Sequence, residues 1–254
     1  ENILSKYAVG KLLVAGDNRY LSDDLLRLVA FIVKYSLKEK GDDIYCRLEE
    51  EFISGNEIYA PLPHYAKNEF YTVLRSPHIA RNEEALVKPM KPGALREKYF
   101  SHLGYVIMVD SRSLIPERLG GADFDGDMVK TIADPLINQC VIRSSIELPL
   151  LKIPTAEPLI SDANDWYARF VTVRNTFSSR VGKISNAALN RGVLAYDENT
   201  TSEDKVHYNQ DVETLAILTG LEIDSAKSGI KPDLSEYIEN KRARRSIFLR
   251  YKTI

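Results

Sequence analysis

Cysteine is scarce in this sequence of 254 residues, which contains only Cys46 and Cys140. Two cysteines this far apart match neither the spacing of a metal site nor a disulfide framework, so we expect a reducing, cytoplasmic setting. No apolar run approaches the roughly eighteen residues of a membrane-spanning helix. The formal net charge of −2 is close to zero and argues neither for nor against a nucleic-acid partner.

Apolar residues are plentiful, at 44% of the sequence, which is enough for a substantial core. This length and composition exclude disordered chains and small folds that depend on disulfides. The sequence begins at Glu1, without an initiator methionine or a charged and apolar leader, and it ends at Ile254 directly after a basic helical pattern. We therefore expect a fragment of a longer protein.

The first half of the chain mixes strand and helix signals. Short apolar stretches bounded by turn residues predict strands at residues 11–15, 71–74, 85–90, 104–109 and 127–132. Residues 16–18 (Gly-Asp-Asn) predict a turn, and residues 22–24 (Ser-Asp-Asp) predict the cap of a helix that ends near Ser36. A second helix is predicted over residues 42–52. This pattern favours an α+β fold with a β-barrel core and helical insertions, which we assign to residues 1–150.

Residues 151–254 have the pattern of a mainly helical region. Helices are predicted over residues 162–177, 185–194, 210–219 and 234–251. The polar residues 197–208 predict a loop, and Gly220 is expected to stop the third of these helices. Most of the basic residues near the end of the chain fall on the last helix.

Three aspartates alternate within five residues at Asp123, Asp125 and Asp127. Carboxylates this close repel one another, and a hard divalent cation with oxygen ligands would offset that repulsion directly. Gly126 allows the backbone to bend so that all three can point at one centre. Mg²⁺ fits such a site and keeps positions for phosphate oxygens and water. An acidic, solvent-exposed turn is the simplest alternative.

Two other metal-dependent motifs offer alternative interpretations of these aspartates. A calcium EF-hand loop fails, because it needs glycine at its sixth position and glutamate at its twelfth. A phosphatase of the haloacid-dehalogenase type stays open, with Asp123 as the phosphorylated nucleophile and Asp125 as the general acid. Asp127 stands where that motif has threonine, and no buried apolar strand precedes Asp123, which weakens this alternative.

The hexapeptide Ala-Asp-Phe-Asp-Gly-Asp at residues 122–127 resembles the metal-binding signature of the two-barrel RNA polymerases. That family includes the β′-type large subunit of cellular enzymes and the single-chain polymerases of phages and RNA silencing. The resemblance implies a double-psi β-barrel in which Asp123, Asp125 and Asp127 hold catalytic Mg²⁺.

A second stretch, Val-Leu-Arg-Ser-Pro-His at residues 73–78, is similar to the strand and Arg-x-Pro element that precedes the metal loop in this family. The resemblance implies that Arg75 lies beside the ribose of the incoming nucleotide and that Pro77 holds the turn. A guanidinium is permanently charged and offers fixed donors to hydroxyls or phosphates. Residues 13–26 resemble the first strand of the barrel and the helix after it, although any strand-turn-helix would have the same sequence pattern.

The downstream residues 215–229 resemble the Asp-x-x-Lys-x-Gly segment of the silencing-type and phage enzymes, with Asp224, Lys227 and Gly229 at the matching positions. Lys227 is therefore a candidate for contact with nucleic acid or with the metal loop, and a simple ion pair with Asp224 is the alternative. Gly121 and Met128 replace residues common in cellular large subunits, and both changes favour the single-chain branch.

The resemblance implies Mg²⁺-dependent transfer of nucleotides from nucleoside triphosphates onto an RNA 3′-hydroxyl, directed by a DNA or RNA template. It also implies an intracellular enzyme, bacterial or encoded by a phage. The family's active site draws lysines from a second, β-type barrel, and no such barrel is visible in this sequence. We expect that barrel in the same parent chain or in another subunit. A phosphatase and a non-catalytic nucleic-acid-binding module are the alternatives.

Overall fold

The structure is a computed structural model, and it describes residues 4, 6, 11, 13–61, 68–155, 157, 160, 162, 164–177 and 179–238. These residues form six strands and nine helices. The strands are β1 (Gly16–Asp23), β2 (Glu57–Ile58), β3 (Tyr71–Arg75), β4 (Glu84–Pro89), β5 (Val106–Val109) and β6 (Met128–Ile132). The longer helices are α1 (Leu25–Leu37), α2 (Glu39–Glu49), α3 (Ala94–Phe100), α5 (Pro135–Glu147), α6 (Trp166–Thr176), α7 (Val181–Ala195) and α8 (Ser202–Ser228), and α4 (Ile115–Arg118) and α9 (Ser235–Ile238) have four residues each.

The chain divides into two compact units, which we name by their main content. The barrel unit comprises residues 14–76 and 82–150, and the helical unit comprises residues 1–13, 77–81 and 151–254. No helix in the described ranges is both long enough and apolar enough to cross a bilayer. Cys46 and Cys140 are both exposed free thiols.

The six strands of the barrel unit form one sheet in the order β2-β4-β3-β6-β1-β5. The β1–β5 and β2–β4 pairs are parallel, and the β1–β6, β3–β6 and β3–β4 pairs are antiparallel. Tyr59, directly after β2, exchanges two main-chain hydrogen bonds with Met108 of β5, at 3.1 and 2.9 Å. This bridge joins the two edges of the sheet and nearly closes it into a barrel.

Most of the barrel interior is apolar, as the alternation of strand residues predicts, and the polar residues Arg19 and Thr131 are buried on the same inward face. Its core consists of aliphatic and aromatic side chains from every strand and from the segment after β5: Leu21, Ile58, Tyr71, Val73, Ala85, Val87, Ile107, Val109, Ile115, Leu119, Ala122 and Val129. The predicted α+β class and the barrel with helical insertions are therefore confirmed at this level, and four of the five predicted strands lie within one or two residues of β3, β4, β5 and β6.

The prediction for the start of the barrel is wrong. Residues 13–15 are not a strand, and residues 16–18, predicted as a turn, begin β1. Gly16 lies opposite Ile132 of β6, and a Cβ added there would be 2.0 Å from the carbonyl oxygen of Thr131. The glycine thus permits close approach of two strands, which is a long-range requirement that the local turn pattern does not contain.

Helix α1 begins where the sequence predicts, because Asp24 caps it by accepting a hydrogen bond from the backbone N–H of Leu26. The Asp24 carboxylate is completely buried and also binds Arg96 of α3, with 2.7 Å between Nη2 and Oδ2. Arg96 in turn donates to the carbonyl oxygen of Glu51 at 2.7 Å. One buried ion pair therefore joins α1, α3 and the end of α2.

The helical unit is built around α7 and α8, whose buried residues include Ile184 and Leu215. The predicted loop at residues 197–208 is wrong, because Thr201 caps α8 and the helix starts at Ser202. The predicted stop at Gly220 is also wrong, since α8 continues to Ser228. A Cβ at Gly220 would lie 2.3 Å from Cδ1 of Ile153, so this glycine provides space for packing and does not end the helix.

The predicted helices at residues 162–177 and 185–194 correspond to α6 and α7. The predicted basic helix at residues 234–251 corresponds to α9 over its first residues, and residues 239–254 lie outside the described residues. Glu222 of α8 is nearly inaccessible and pairs with Arg180 at 2.7 Å. Burial alone would raise the pKa of Glu222, but the hydrogen bonds and charge of Arg180 hold that pKa below its ordinary value of 4.5.

Candidate catalytic site

The loop that carries the three aspartates, residues 119–127, follows α4 and is anchored in the barrel core at its start. Leu119 and Ala122 are buried there, and the backbone N–H of Ala122 donates to the carbonyl of Pro116 at 2.9 Å. Gly120 and Gly121 have φ angles of 70° and 69°, a left-handed conformation that suits glycine. These contacts fix the direction in which the chain leaves the core before Asp123.

The end of the loop is fixed by the sheet. The backbone N–H of Leu21 in β1 donates to the carbonyl of Asp127 at 2.8 Å. Val129 of β6 lies opposite Arg75 of β3, so Asp127 precedes β6 at the point where β3 ends. Gly126, with φ of 125°, makes the bend between Asp125 and β6, in a region that other residues rarely adopt.

The three aspartate side chains lie together. One carboxylate oxygen from each of Asp123, Asp125 and Asp127 falls within 4.8 Å of the others. Adjacent ligands of an octahedral Mg²⁺ are roughly 3.0 Å apart and opposite ligands roughly 4.2 Å apart, because each Mg–O bond is about 2.1 Å long. Asp123 and Asp125 are exposed, so side-chain rotations can bring the three oxygens closer, to these spacings. Three carboxylates are also the hard oxygen donors that Mg²⁺ prefers, and the residues therefore fit the ion.

Arg75 of β3 contacts Asp127, the third aspartate of the loop. Its Nε lies 2.8 Å from Oδ2 of Asp127, and its Nη2 donates to Oδ1 at 3.1 Å. Its Nη1 reaches the carbonyl oxygen of Gly120 at 3.4 Å. The side chains of Arg75 and Asp127 are each 19% exposed, which makes this pair less screened by solvent than an ion pair on the surface.

Asp127 also binds inside the loop, because its Oδ2 accepts a hydrogen bond from the backbone N–H of Asp123 at 3.0 Å. The Asp127 carboxylate is thus held by two groups, and one of them belongs to the loop's own backbone. Arg75 offsets part of the negative charge of the three carboxylates. Each carboxylate oxygen has two lone pairs, so these contacts leave capacity for a cation.

A sequence model of the family described as RNA dependent RNA polymerase matches residues 39–252 of this chain. The match covers most of the sequence, including both Arg75 and the aspartate loop. The chain belongs to the RNA-dependent RNA polymerase family. The resemblance drawn from the two motifs is therefore confirmed.

A solved structure agrees with this assignment to the RNA-dependent RNA polymerase family at the level of the fold. The RNA dependent RNA polymerase QDE-1 from Thielavia terrestris matches with a TM-score of 0.52 and 15% sequence identity. The match covers 91% of this chain and 25% of the other, so the chain spans about a quarter of the length of that enzyme. A search of curated proteins gave no match.

The other residues predicted for the polymerase site lie in the helical unit. Pro77 begins the short segment of residues 77–81 that belongs to this unit. Lys227 is exposed in the last turn of α8, and Gly229, with φ of 77°, caps that helix. Among the described residues Lys227 forms no ion pair with Asp224. The structure thus brings Arg75 to the aspartates, whereas the roles of Pro77 and Lys227 stay predictions.

Sequence reasoning missed the direct contact between Arg75 and Asp127, since the motif implied a ribose contact for Arg75. The signal for the pairing is the register in which Arg75 lies opposite Val129, two residues after Asp127. Register between strands that are far apart in sequence depends on the whole sheet, so neither motif alone contains it.

Proposed function

We propose that this chain carries the metal-binding half of the active site of an RNA-directed RNA polymerase. The reaction is attack of an RNA 3′-hydroxyl on the α-phosphate of a nucleoside triphosphate, which forms a phosphodiester and releases pyrophosphate. The observation that carries the proposal is the convergence of Asp123, Asp125 and Asp127 on a loop that enters the barrel beside Arg75. Membership of the polymerase family supplies the substrate class.

Asp123, Asp125 and Asp127 would hold Mg²⁺. When bound, this ion would lower the pKa of the attacking hydroxyl and neutralise charge on the phosphate oxygens. The chain needs no protein nucleophile for such a reaction, because positioning and electrostatic stabilisation account for most of the catalysis in phosphoryl transfer.

Arg75 acts first as a positioning residue in this proposal. Its two contacts to Asp127 fix the orientation of that carboxylate, and the N–H of Asp123 limits its rotation further. An oriented carboxylate loses less conformational freedom when it binds a cation, which raises affinity. We propose that Arg75 also reaches the ribose of the incoming nucleotide, and that Pro77 and Lys227 belong to the substrate-binding surface.

The proposal extends to the architecture. We propose that residues 1–150 form the catalytic domain with the double-psi topology, and that residues 151–254 form a helical region that ends in a basic helix. The second barrel that completes the active site would lie outside these 254 residues, in the same polypeptide or in another subunit. The quarter-length match to QDE-1 supports that arrangement.

The two alternatives from the sequence are less favoured. A phosphatase of the haloacid-dehalogenase type does not agree with the family match over residues 39–252. A nucleic-acid-binding module with an inactive loop would not need three carboxylates within 4.8 Å of one another, because uncompensated repulsion destabilises such a cluster.

The metal site can be tested on the chain itself with Mn²⁺, whose electron paramagnetic resonance signal reports the free ion. We expect saturable binding that Mg²⁺ displaces and that Asp125→Asn weakens at least tenfold, about 1.4 kcal/mol. Asp43 is an exposed carboxylate on α2, and Asp43→Asn is the matched control that removes the same charge. Equal weakening by both substitutions would mean that binding reflects overall charge and not this site.

Catalysis is tested with the longest natural polypeptide that contains this chain, on a primed RNA template with nucleoside triphosphates and Mg²⁺. We expect primer extension that Asp125→Asn abolishes and Asp43→Asn leaves intact. A primed DNA template run in parallel reports the template preference. Release of phosphate from small phosphoesters without any extension would favour the phosphatase instead.

A further inference from the structure

A second candidate site lies in the barrel unit, in a cavity of about 460 Å³ whose lining includes none of the three aspartates. The residues that matter for its chemistry come from the turn before β2, from β4 and from the segment around α4: Asn56, Leu86, Arg112, Ser113, Leu114 and Arg118. None of the described residues that line the cavity is an aspartate or a glutamate. A volume of this size is within the range of pockets for small organic ligands.

Two arginines line the cavity, and of these two only Arg112 forms an ion pair with a carboxylate among the described residues, that of Asp110. The only hydrogen bond from the side chain of Arg118 within the described ranges runs from Nη1 to the carbonyl oxygen of Asn82, at 3.3 Å. The side chain of Arg112 is 69% exposed and binds Asp110 through Nε at 3.2 Å, and its terminal nitrogens donate to no other described residue. Arg118 is half-buried, and its charge in a partly desolvated cavity favours an anionic ligand.

A strand edge provides main-chain hydrogen-bonding groups on the same side. β2 has only two residues, paired with Lys88 and Pro89 of β4. The N–H of Lys88 points to this side, because it donates to the carbonyl of Asn56 at 2.9 Å. Main-chain groups of alternate strand residues point the same way, so the N–H and C=O of Leu86 face this side too, where no strand of the described residues pairs with them.

These features define a ligand with three parts. The guanidinium groups of Arg112 and Arg118 require an anion of the phosphate or carboxylate type, and planar Arg forks suit phosphate especially well. The lining also includes the apolar residues Ala85, Leu86, Leu114 and Ile115. The main-chain groups of Leu86, which no described strand pairs, offer one donor and one acceptor, the pair that the edge of a nucleobase can use.

We propose that this cavity binds a nucleoside phosphate, with the phosphates on Arg112 and Arg118 and the base against the β4 edge. The nucleotide is either a free nucleoside triphosphate or one residue of a single-stranded RNA. None of the described residues that line the cavity is a carboxylate, and the proposed contacts need no divalent ion, so the proposal does not depend on the metal loop or on polymerase activity.

The test is ATP binding to the chain by isothermal titration calorimetry in EDTA, which prevents any contribution from divalent metal. We expect saturable binding that Arg118→Gln weakens about tenfold, the usual size of one charge-assisted contact to phosphate. Arg47 is an exposed arginine of α2 that does not line the cavity, and Arg47→Gln is the matched control with unchanged affinity. Equal loss in both variants, or no binding in EDTA, would overturn the proposal.

A second variant guards against misfolding of the first. Leu114 is 64% exposed, so Leu114→Asp is expected to leave the melting temperature unchanged while it places a negative charge beside the phosphates. We expect it to abolish ATP binding. Unchanged affinity in a folded Leu114→Asp protein would place the nucleotide elsewhere and refute the proposal.

Two further ligands separate the sources of the nucleotide. Adenosine, which has no phosphate, is expected to bind at least tenfold more weakly than ATP, and equal affinity would contradict recognition by the arginines. A short single-stranded RNA that displaces ATP in EDTA assigns the site to an RNA chain, and failure of the RNA to compete assigns it to free nucleotide. Loss of primer extension by Asp125→Asn with intact ATP binding in EDTA would show that the two sites are separate.

Discussion

The pair between Arg75 and Asp127 leads to a quantitative prediction for Arg75→Gln. Two nitrogen–oxygen contacts at 2.8 and 3.1 Å are lost, whereas Asp127 keeps the hydrogen bond from the N–H of Asp123. The contact from Nη2 is a hydrogen bond, and the contact from Nε is an ion pair without hydrogen-bond geometry. A charge-assisted hydrogen bond contributes about 1.5–3 kcal/mol when buried, and both side chains here are 19% exposed. We therefore expect a coupling of about 2 kcal/mol for the pair as a whole.

A double-mutant cycle measures this coupling without the confounding effect of charge repulsion. Asp127→Asn alone relieves its repulsion with Asp123 and Asp125, so single variants underestimate the pair. The cycle of Arg75→Gln and Asp127→Asn, followed by urea unfolding in EDTA, cancels that contribution. Unfolding free energies of the four proteins give the coupling directly.

The chain offers a matched control in the exposed pair of Lys34 and Asp42. Its nitrogen and oxygen are 3.3 Å apart, and the two side chains are 42% and 62% exposed. Surface pairs of this kind contribute little to stability, because water and salt screen their charges. A coupling for Arg75 and Asp127 no larger than that of the control pair would refute the argument that Arg75 orients the aspartate loop.

Three more predictions follow from other parts of the structure. Arg96→Met leaves the buried carboxylate of Asp24 without its cation. We expect the free energy of unfolding, measured by urea denaturation, to fall by about 3–5 kcal/mol. A loss below about 1 kcal/mol would contradict a fully desolvated ion pair. Gly126→Ala meets no steric clash, but its φ of 125° is strained for alanine, so we expect a loss of about 1–3 kcal/mol and weaker Mn²⁺ binding; an unchanged protein would mean that the loop relaxes freely. Arg180 depresses the pKa of Glu222, so this pair stabilises the fold fully above the ordinary value of 4.5 and loses its contribution as the pH falls through the lower folded pKa. In acid titrations Glu222→Gln is therefore expected to flatten the decline of stability below pH 4.5, and an identical decline would refute the assignment.

Local sequence was sufficient to predict several elements. The strands around Tyr71, Ala85, Val106 and Met128 were predicted because each is a short apolar run bounded by turn residues. The start of α1 was predicted because an aspartate cap acts on backbone groups two residues away. The aspartate motif identified the family because three carboxylates and one glycine in five residues form a local and chemically demanding pattern.

Tertiary contacts overrode local patterns at two glycines. Gly16 reads as a turn residue, but it lies within β1 because it allows close approach to Thr131 of β6. Gly220 reads as a helix stop, but α8 passes through it because Ile153 occupies the space of a side chain. In both places the sequence shows the absence of a side chain and does not show which distant residue needs the space.

Three features of this protein could be recognised in its sequence: a cluster of three carboxylates, an arginine on a preceding strand, and membership of the RNA-dependent RNA polymerase family. How these groups meet depends on the tertiary structure. Arg75 and Asp127 are 52 residues apart and come together because β3 and β6 pair in one register within the barrel. Side-chain chemistry is a local property of the sequence, so both motifs could be recognised there. Strand register depends on the free energy of the whole sheet, so the contact between Arg75 and Asp127 could not be predicted from the motifs.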